Sequence, residues 1–314
     1  MSLQRGLKMR HLHLLAALDE HRHLGRAAAH LHTSQPAVSR ALGEIEAAVS
    51  QTLFSRTPKG TVPTAAGQAL IRHARQALQV LRNAEEEMTV LSDGFAGRLR
   101  IGTNYSSAAH LLPNALLMMR QRAPKVQIAV HEGSLDSLLP ELLGHRLDVI
   151  VARSDHRIAQ EGLRFRKLVD EPMCLVAGPA HPLAKRRKLR WNDLQKFLWI
   201  LPLPNNPVRD ALDAIFLRHG LRNFQAPIEC GSILVNSALL SRTDAIAVLP
   251  RSVAQRYQQV ALLQVLPLSL PEVFSPIGVI TTEGEAAAAA LTLFEQCLKQ
   301  ASGEAVSEAE RTRF

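Results

Sequence analysis

Residues 32–46 read HTSQPAVSRALGEIE, and this stretch decides how the first sixty residues fold. Thr33 and Ser34 are helix-capping types, because a hydroxyl oxygen can accept one of the free N–H groups of a first turn. Pro36 falls inside that turn, where its missing N–H costs nothing. Val38, Leu42, Ile45 and then Val49 step by four, three and four, which makes one buried stripe on a helix. Ser34, Gln35, Ser39 and Arg40 fall off that stripe. The leading edge of this helix is therefore polar and faces outward.

Two more helices precede it. Residues 7–18 (LKMRHLHLLAAL) set Leu12, Leu15 and Leu18 three apart on one face. Residues 25–32 (GRAAAHLH) form a short helix rich in Ala, which lets backbones approach closely. Two close-set helices, a break and a third helix with a polar edge match a helix-turn-helix. An ordinary three-helix bundle with a capped third helix fits the spacing as well. The next stretch, LFSRTPKGTVPT (53–64), favours the first reading: two extended pieces flank the turn triplet Pro58-Lys59-Gly60. This hairpin would be a wing, with Arg56 and Lys59 suited to phosphates or a minor groove.

From Thr64 the chain reads TAAGQALIRHARQALQVLRNAEEEMTVLSDG. Leu70, Ala74, Ala77, Leu81, Ala84, Met88 and Leu91 alternate steps of four and three, an a/d seam three heptads long. It predicts a helix pairing with a second chain; a long amphipathic helix lying on its own domain is the other reading. Ser92-Asp93-Gly94 ends it. Beyond residue 97 strand-like and helix-like segments alternate: RLRIGT (98–103), KVQIAVHEG (125–133), LDVIVAR (147–153), MCLVAG (173–178), FLWILP (197–202), APIEC (226–230), AIAVLP (245–250) and PIGVIT (276–281), with helices between. That rhythm predicts a parallel α/β region of about 200 residues, long enough for two subdomains. Residues 302–314 have little to bury and are expected to fray.

Composition bounds the function. The 314 residues hold 37 Lys+Arg against 28 Asp+Glu, a formal net charge of +9. Within residues 1–60 there are eight basic and four acidic side chains, so the N-terminal module is the basic one and suits a polyanion. No run approaches the roughly 18–20 apolar residues of a membrane helix, and residues 1–11 lack the pattern of a signal peptide, so a cytoplasmic location without membrane association is expected. Cys174, Cys230 and Cys297 are odd in number and far apart, which suits a reducing compartment. The doublets His11-x-His13, His21-x-His23 and His30-x-His32 point to different helix faces and predict no metal site. No elbow nucleophile, phosphate loop or HExxH motif occurs; no catalytic residue and no cofactor are expected.

In open parallel sheets small ligands bind beyond the carboxyl ends of strands, near helix N-termini. Here such ends carry Thr103, Asn104, Tyr105, Ser106 and Ser107; Ser134; Arg153; Asn205 with Asn206; and Ser232. Each alone is a helix cap. Together they predict a cleft for a small anion or polyol, with Arg153 and Arg209 as the positive charges for a carboxylate.

With these residues laid out, the chain resembles a LysR-type transcriptional regulator over essentially its full length. The match is carried by GRAAAHLHTSQPAVSRALGEIEAAVSQTLFSRTPKGTVPTAAGQAL (25–70): Ala-Ala before the turn, Ser-Gln-Pro-Ala-Val-Ser, Glu46, Leu53-Phe54-x-Arg56 and Thr64-x-x-Gly67. The resemblance implies a winged helix-turn-helix (1–64) contacting bases and phosphates of double-stranded promoter DNA through Ser34, Gln35, Pro36, Ser39, Arg40 and Arg56. It further implies a dimerising linker helix (65–93) and an effector-binding domain (97–301) of the type 2 periplasmic-binding-protein fold. The latter would divide into a first subdomain (about 97–166 and 272–301) and a second (about 167–271), followed by the tail at 302–314. Family effector contacts would map to Thr103, the 104–107 turn, Ser134, Arg153, Asn205 and Ser232. A homotetramer built as a dimer of dimers, and RNA polymerase as a candidate partner, follow from the same likeness. WILPLPNNPVR (199–209) is similar to a segment of the branch governing aromatic-acid and sugar catabolism. Three departures bear on the DNA target: His23-Leu24-Gly25 leaves the second helix without its usual cap, Pro63 stands in a wing strand, and Ser50 replaces the Gly that commonly ends the third helix. A cytoplasmic solute-binding receptor and an effector-free DNA-organising protein are the rival functions.

Overall fold

The computed structural model describes residues 7–57, 60–93, 97–108, 110–159, 162–204, 206–221, 227–270, 274–283 and 289–311. The head opens with α1 (Met9–His21), α2 (Leu24–His30) and α3 (Gln35–Val49). On α1 the buried face is His11, Leu14, Leu15, Ala17 and Leu18; Leu12 is only half-buried, so the face is rotated from the three-residue spacing of the leucines. Ala27 and Ala28 of α2 are buried, and Val38 and Ile45 of α3 complete the same core. The second helix does have a cap. The Nδ1 of His23 accepts from the Gly25 N–H at 3.1 Å, so an imidazole does the work of the expected hydroxyl. Ser50 ends α3 in the left-handed region at φ 55°.

The wing is an antiparallel pair, β1 (Phe54–Thr57) and β2 (Gly60–Pro63). Glu46 anchors it: one carboxylate oxygen accepts from the N–H groups of Leu53 at 2.7 Å and Phe54 at 3.2 Å. Pro63 ends β2, and its side chain is buried. The linker helix α4 (Ala65–Asp93) starts where the Thr64 hydroxyl accepts from the Gly67 N–H at 3.1 Å. A Cβ at Gly67 would stand 2.0 Å from the Leu53 carbonyl oxygen, so only glycine lets α4 approach the wing. Ile71 and Ala74 carry the head core onto α4.

The body comprises β3 (Arg98–Thr103), α5 (Tyr105–Ala108), α6 (Leu111–Arg122), β4 (Gln127–Glu132), α7 (Leu135–Leu143), β5 (Val149–Arg153) and β6 (Leu163–Val169). Then come β7 (Met173–Ala177), β8 (Leu198–Leu201), α8 (Pro207–Arg218), β9 (Ile228–Glu229), α9 (Ile233–Leu240), β10 (Ala245–Pro250), α10 (Arg251–Gln259) and β11 (Gln264–Val265). The last elements are β12 (Ile277–Thr282) and α11 (Ala289–Arg311). They build two five-stranded sheets, β4-β3-β5-β12-β6 and β11-β7-β10-β8-β9. The chain crosses between them twice, through 170–172 and again between β11 and β12.

Those crossings make the sheets mixed rather than parallel. β12 runs antiparallel to both β5 and β6, and β7 antiparallel to β10 and β11. A parallel neighbour needs a helical crossover, whereas β7 and β12 arrive from the opposite sheet. Strand β6, LRFRKLV, is absent from the sequence reading because its charges interrupt the apolar run; it is a sheet edge, where charged side chains are at home. Each sheet has its own core, around Met119 and Phe294 in the first and Trp199 and Leu212 in the second. The α11 backbone continues through Arg311, into the stretch expected to fray.

Candidate functional site

Two surfaces hold the polar residues singled out above. At the head, the Ser34 hydroxyl accepts from the Ala37 N–H at 3.4 Å and caps α3. Ser34, Gln35, Pro36 and Arg40 are exposed and Ser39 is half-buried, while Val38 and Ile45 beneath them are 1% and 0% exposed. A rigidly seated helix thus offers a first turn of small and polar groups to solvent. The backbone of Arg56 pairs with Thr61 in the wing; its side chain and the whole of Lys59 lie outside the described residues. Of the histidine doublets, the first diverges, His11 being buried while His13 is exposed; His23 and His32 lie outside the helices that carry His21 and His30. Among the described residues no group of three or more His, Cys, Asp or Glu could hold a metal ion.

A buried charge cluster joins head, linker helix and body. Asp19 on α1 pairs with Arg75 of α4 at 2.8 Å, with Arg146 of the body at 3.5 Å and with Arg22 at 2.7 Å. The side chains of Asp19 and Arg75 are 10% and 8% exposed. Arg75 also donates to the Gly144 carbonyl at 3.4 Å. Beside it, Arg100 of β3 bonds to Gln79 of α4 at 2.8 Å and pairs with Asp148. Nothing in the sequence spacing announces this joint, since its members are scattered from 19 to 148.

Further along α4 the predicted seam divides. Ala74 faces the head core, whereas Ala77, Leu81, Ala84 and Met88 are exposed in the single chain, Leu81 at 42% and Met88 at 68%. The side chain of Leu91 lies outside the described residues.

The second surface is a small cleft, partly open to solvent, lined by Tyr105 from the first sheet's side and by Ile200, Pro202, Asn206, Cys230, Gly231, Ile233, Asn236, Val248 and Leu249 from the second. Four of the residues predicted for it, Thr103, Ser106, Ser107 and Arg153, turn inward instead. Thr103 and Ser107 are 1% and 0% exposed; both hydroxyls donate to the Val151 carbonyl, at 3.1 and 2.6 Å. Ser106 is buried and Asn104 half-buried. Arg153 donates to the carbonyls of Ser275 and Glu171, the two crossover segments, and its Nε has no partner. Burial pulls the Arg153 pKa down and pushes that of the neighbouring Tyr105 phenol up. Arg209 is engaged by Asp213 at 3.0 Å, Glu229 at 2.9 Å and the Pro202 carbonyl at 3.0 Å. Ser232 caps α9 through the Val235 N–H at 3.4 Å, Ser134 is exposed at the start of α7, and Asn205 lies outside the described residues.

The cleft's own polar lining is therefore Tyr105, Asn206, Cys230 and Asn236. Asn236 and Cys230 escape the strand-end rule. The signal for Asn236 was present: within ILVNSALL it sits four residues before Leu240, on the face that helix buries.

Comparison with known proteins concerns both surfaces. Residues 9–68 match the family model described as bacterial regulatory helix-turn-helix protein, lysR family, and residues 92–303 match the LysR substrate binding domain. The HTH-type transcriptional regulator GbpR of Azospirillum brasilense is 32% identical over 278 residues, covering 88% of this chain and 81% of that one. A full-length OxyR variant of Pseudomonas aeruginosa superposes with a TM-score of 0.74 at 19% identity, covering 93% of this chain and 95% of that one. Full-length CbnR complexed with its target DNA gives 0.64 at 21% identity, covering 94% and 100%.

Proposed function

We propose, for a chain that belongs to the LysR family of transcriptional regulators, that the amino end of α3 reads operator DNA while the cleft between the two sheets binds a small metabolite that resets promoter activity. The observation that carries the DNA half is the exposed edge of Ser34, Gln35, Pro36 and Arg40 on a helix whose opposite face is sealed into the head core. Such an edge fits the major groove, where Gln and Arg can bond base edges and small residues permit close approach. Ser39, Arg56 and Lys59 complete the proposed DNA-contacting set.

The working division assigns 1–64 to the head, 65–93 to the linker, 97–301 to the effector domain and 302–314 to a tail, with the protein acting in the cytoplasm. The exposed face of Ala77, Leu81, Ala84 and Met88 is the proposed dimer seam, with a tetramer and contact with RNA polymerase built upon it. The effector is a small anion or polyol at the cleft, and Ser134, Asn205 and Ser232 remain proposed contacts at its rim. The Asp19–Arg75–Arg146 cluster ties the head to the first sheet's side. Cleft closure would then swing the second sheet's side against a unit containing head, linker and first sheet. Repeated in each chain of an oligomer, that swing respaces the heads and changes the operator bend. To switch the population an effector must favour one state by several kcal/mol, about 5.5 for a full reversal.

A gel-shift titration of the full-length protein on the DNA upstream of its own gene tests this reading. Retention at low salt that survives excess unrelated DNA is the expected result; equal affinity for both DNAs would leave only a charge-driven binder.

A further inference from the structure

Resting on the reading of the cleft as the effector site, the geometry points to its ligand class: an uncharged, hydroxyl-bearing molecule that donates a hydrogen bond to the side-chain carbonyl oxygen of Asn236. Asn236 is 8% exposed, lines the cleft, and its Oδ1 has no hydrogen-bond partner. A buried acceptor of this kind calls for a donor from outside the chain. Its helix cannot supply one. The Asn236 backbone N–H is committed to the Ser232 carbonyl at 3.0 Å, and the Val235 N–H to the Ser232 hydroxyl at 3.4 Å.

The surrounding chemistry selects against a carboxylate. The lining residues are a phenol, a thiol, two amides and apolar side chains, with no formally charged group among the described ones. Of the two cations nearby, neither belongs to the lining: Arg209 is engaged by Asp213, Glu229 and the Pro202 carbonyl, and Arg153 gives donors to the carbonyls of Glu171 and Ser275 and keeps its Nε unpartnered. The Asn206 Oδ1 is held by the Val208 N–H at 2.9 Å. An anion at Asn236 would bring lone pairs against a carbonyl oxygen with no cation in the described lining beside it. A hydroxyl donates to Asn236 and can accept from the protonated Tyr105 phenol. Ile200, Pro202, Ile233, Val248 and Leu249 supply the apolar wall on which a sugar ring or an aromatic ring would lie.

The test uses the full-length protein and matched probes: glucose, galactose, xylose, myo-inositol and catechol against gluconate, galacturonate, xylonate and benzoate. Thermal shift selects binders, and protection of Cys230, which lines the same cleft, from iodoacetamide places them there. The expected result is that neutral hydroxylated probes bind and protect Cys230. Asn236→Leu should weaken them by about tenfold or more, while Asn236→Asp, which keeps an acceptor, should hold them within about threefold. Melting temperature without probe and upstream DNA binding establish that both variants fold. Binding confined to the carboxylates, binding unaffected by Asn236→Leu, binding without Cys230 protection, or no binding by any probe would each overturn the assignment. Failure of the wild type to bind upstream DNA would instead strike the regulator reading, and the two failures are read from separate measurements.

Discussion

The head and the body use the same residue types at the same kind of place and put them to opposite uses. At the start of α3, Ser34, Gln35 and Arg40 stand in solvent. At the carboxyl ends of β3 and β5, Thr103, Ser107 and Arg153 are turned inward and engaged with backbone carbonyls. The difference lies in what the element packs against. Helix α3 buries one stripe and leaves its first turn at the surface, so polar groups there have only water or a partner to meet. The strand ends of the body lie where two sheets and their crossovers converge, and backbone carbonyls there need donors. A hydroxyl or guanidinium that supplies one stabilises the region where the two sheets meet.

The contrast can be broken from its structural side first. Asp19→Ala leaves Arg75 buried without its counter-charge and should lower stability by about 3–5 kcal/mol, read by urea denaturation of the full chain. If it costs nothing, the joint is not holding head and body together. Arg153→Ala removes the donor to two crossover carbonyls and should cost about 3 kcal/mol, with upstream DNA still bound by the fraction that folds. Unchanged stability with loss of effector response would return Arg153 to the ligand site. Arg40→Ala touches no buried partner in the described contacts. It should leave the melting temperature unchanged and weaken operator binding by about 1–3 kcal/mol, as measured by footprint titration.

The smallest effect separates the regions by pH. Burial holds both His11 of the head and His181 of the body below the ordinary value of 6.5. His11 is further disfavoured as a cation by Arg10, whereas the Asp244 carbonyl opposes the shift at His181. The unfolded chain therefore takes up more protons than the native one below pH 6.5. Stability should be level above that value and decline as the pH falls through it. His11→Gln should flatten the acid decline of the head alone, followed by hydrogen exchange in α1; an unchanged slope would mean His11 carries none of it.

Legibility follows the same division. The head could be read because its determinants are local: a cap, an early Pro, a stripe stepping by four and three, and a turn triplet within thirty residues. Even there, the His23 cap escaped, because an imidazole accepting from an N–H two residues on leaves no compositional trace. The body's alternation gave its α/β class, yet its mixed pairing depends on where β7 and β12 arrive from, which no local window contains. The cleft was least legible. Tyr105, Asn206, Cys230 and Asn236 span more than 130 positions and meet only through the fold. The strand-end rule reached Tyr105 and Asn206, missed Cys230 and Asn236, and also picked out Thr103, Ser107 and Arg153, which bond to backbone carbonyls. The joint at Asp19 was hidden for the same reason.

The exposed edge of α3 is the claim on which the rest depends, and missing-contact footprinting on the upstream DNA tests it most directly. Comparing wild type with Gln35→Ala and Arg40→Ala, each variant should lose contact at a discrete base position in every half-site while the flanking phosphate contacts persist. Identical contact patterns in all three proteins, at equal affinity, would place the reading surface elsewhere.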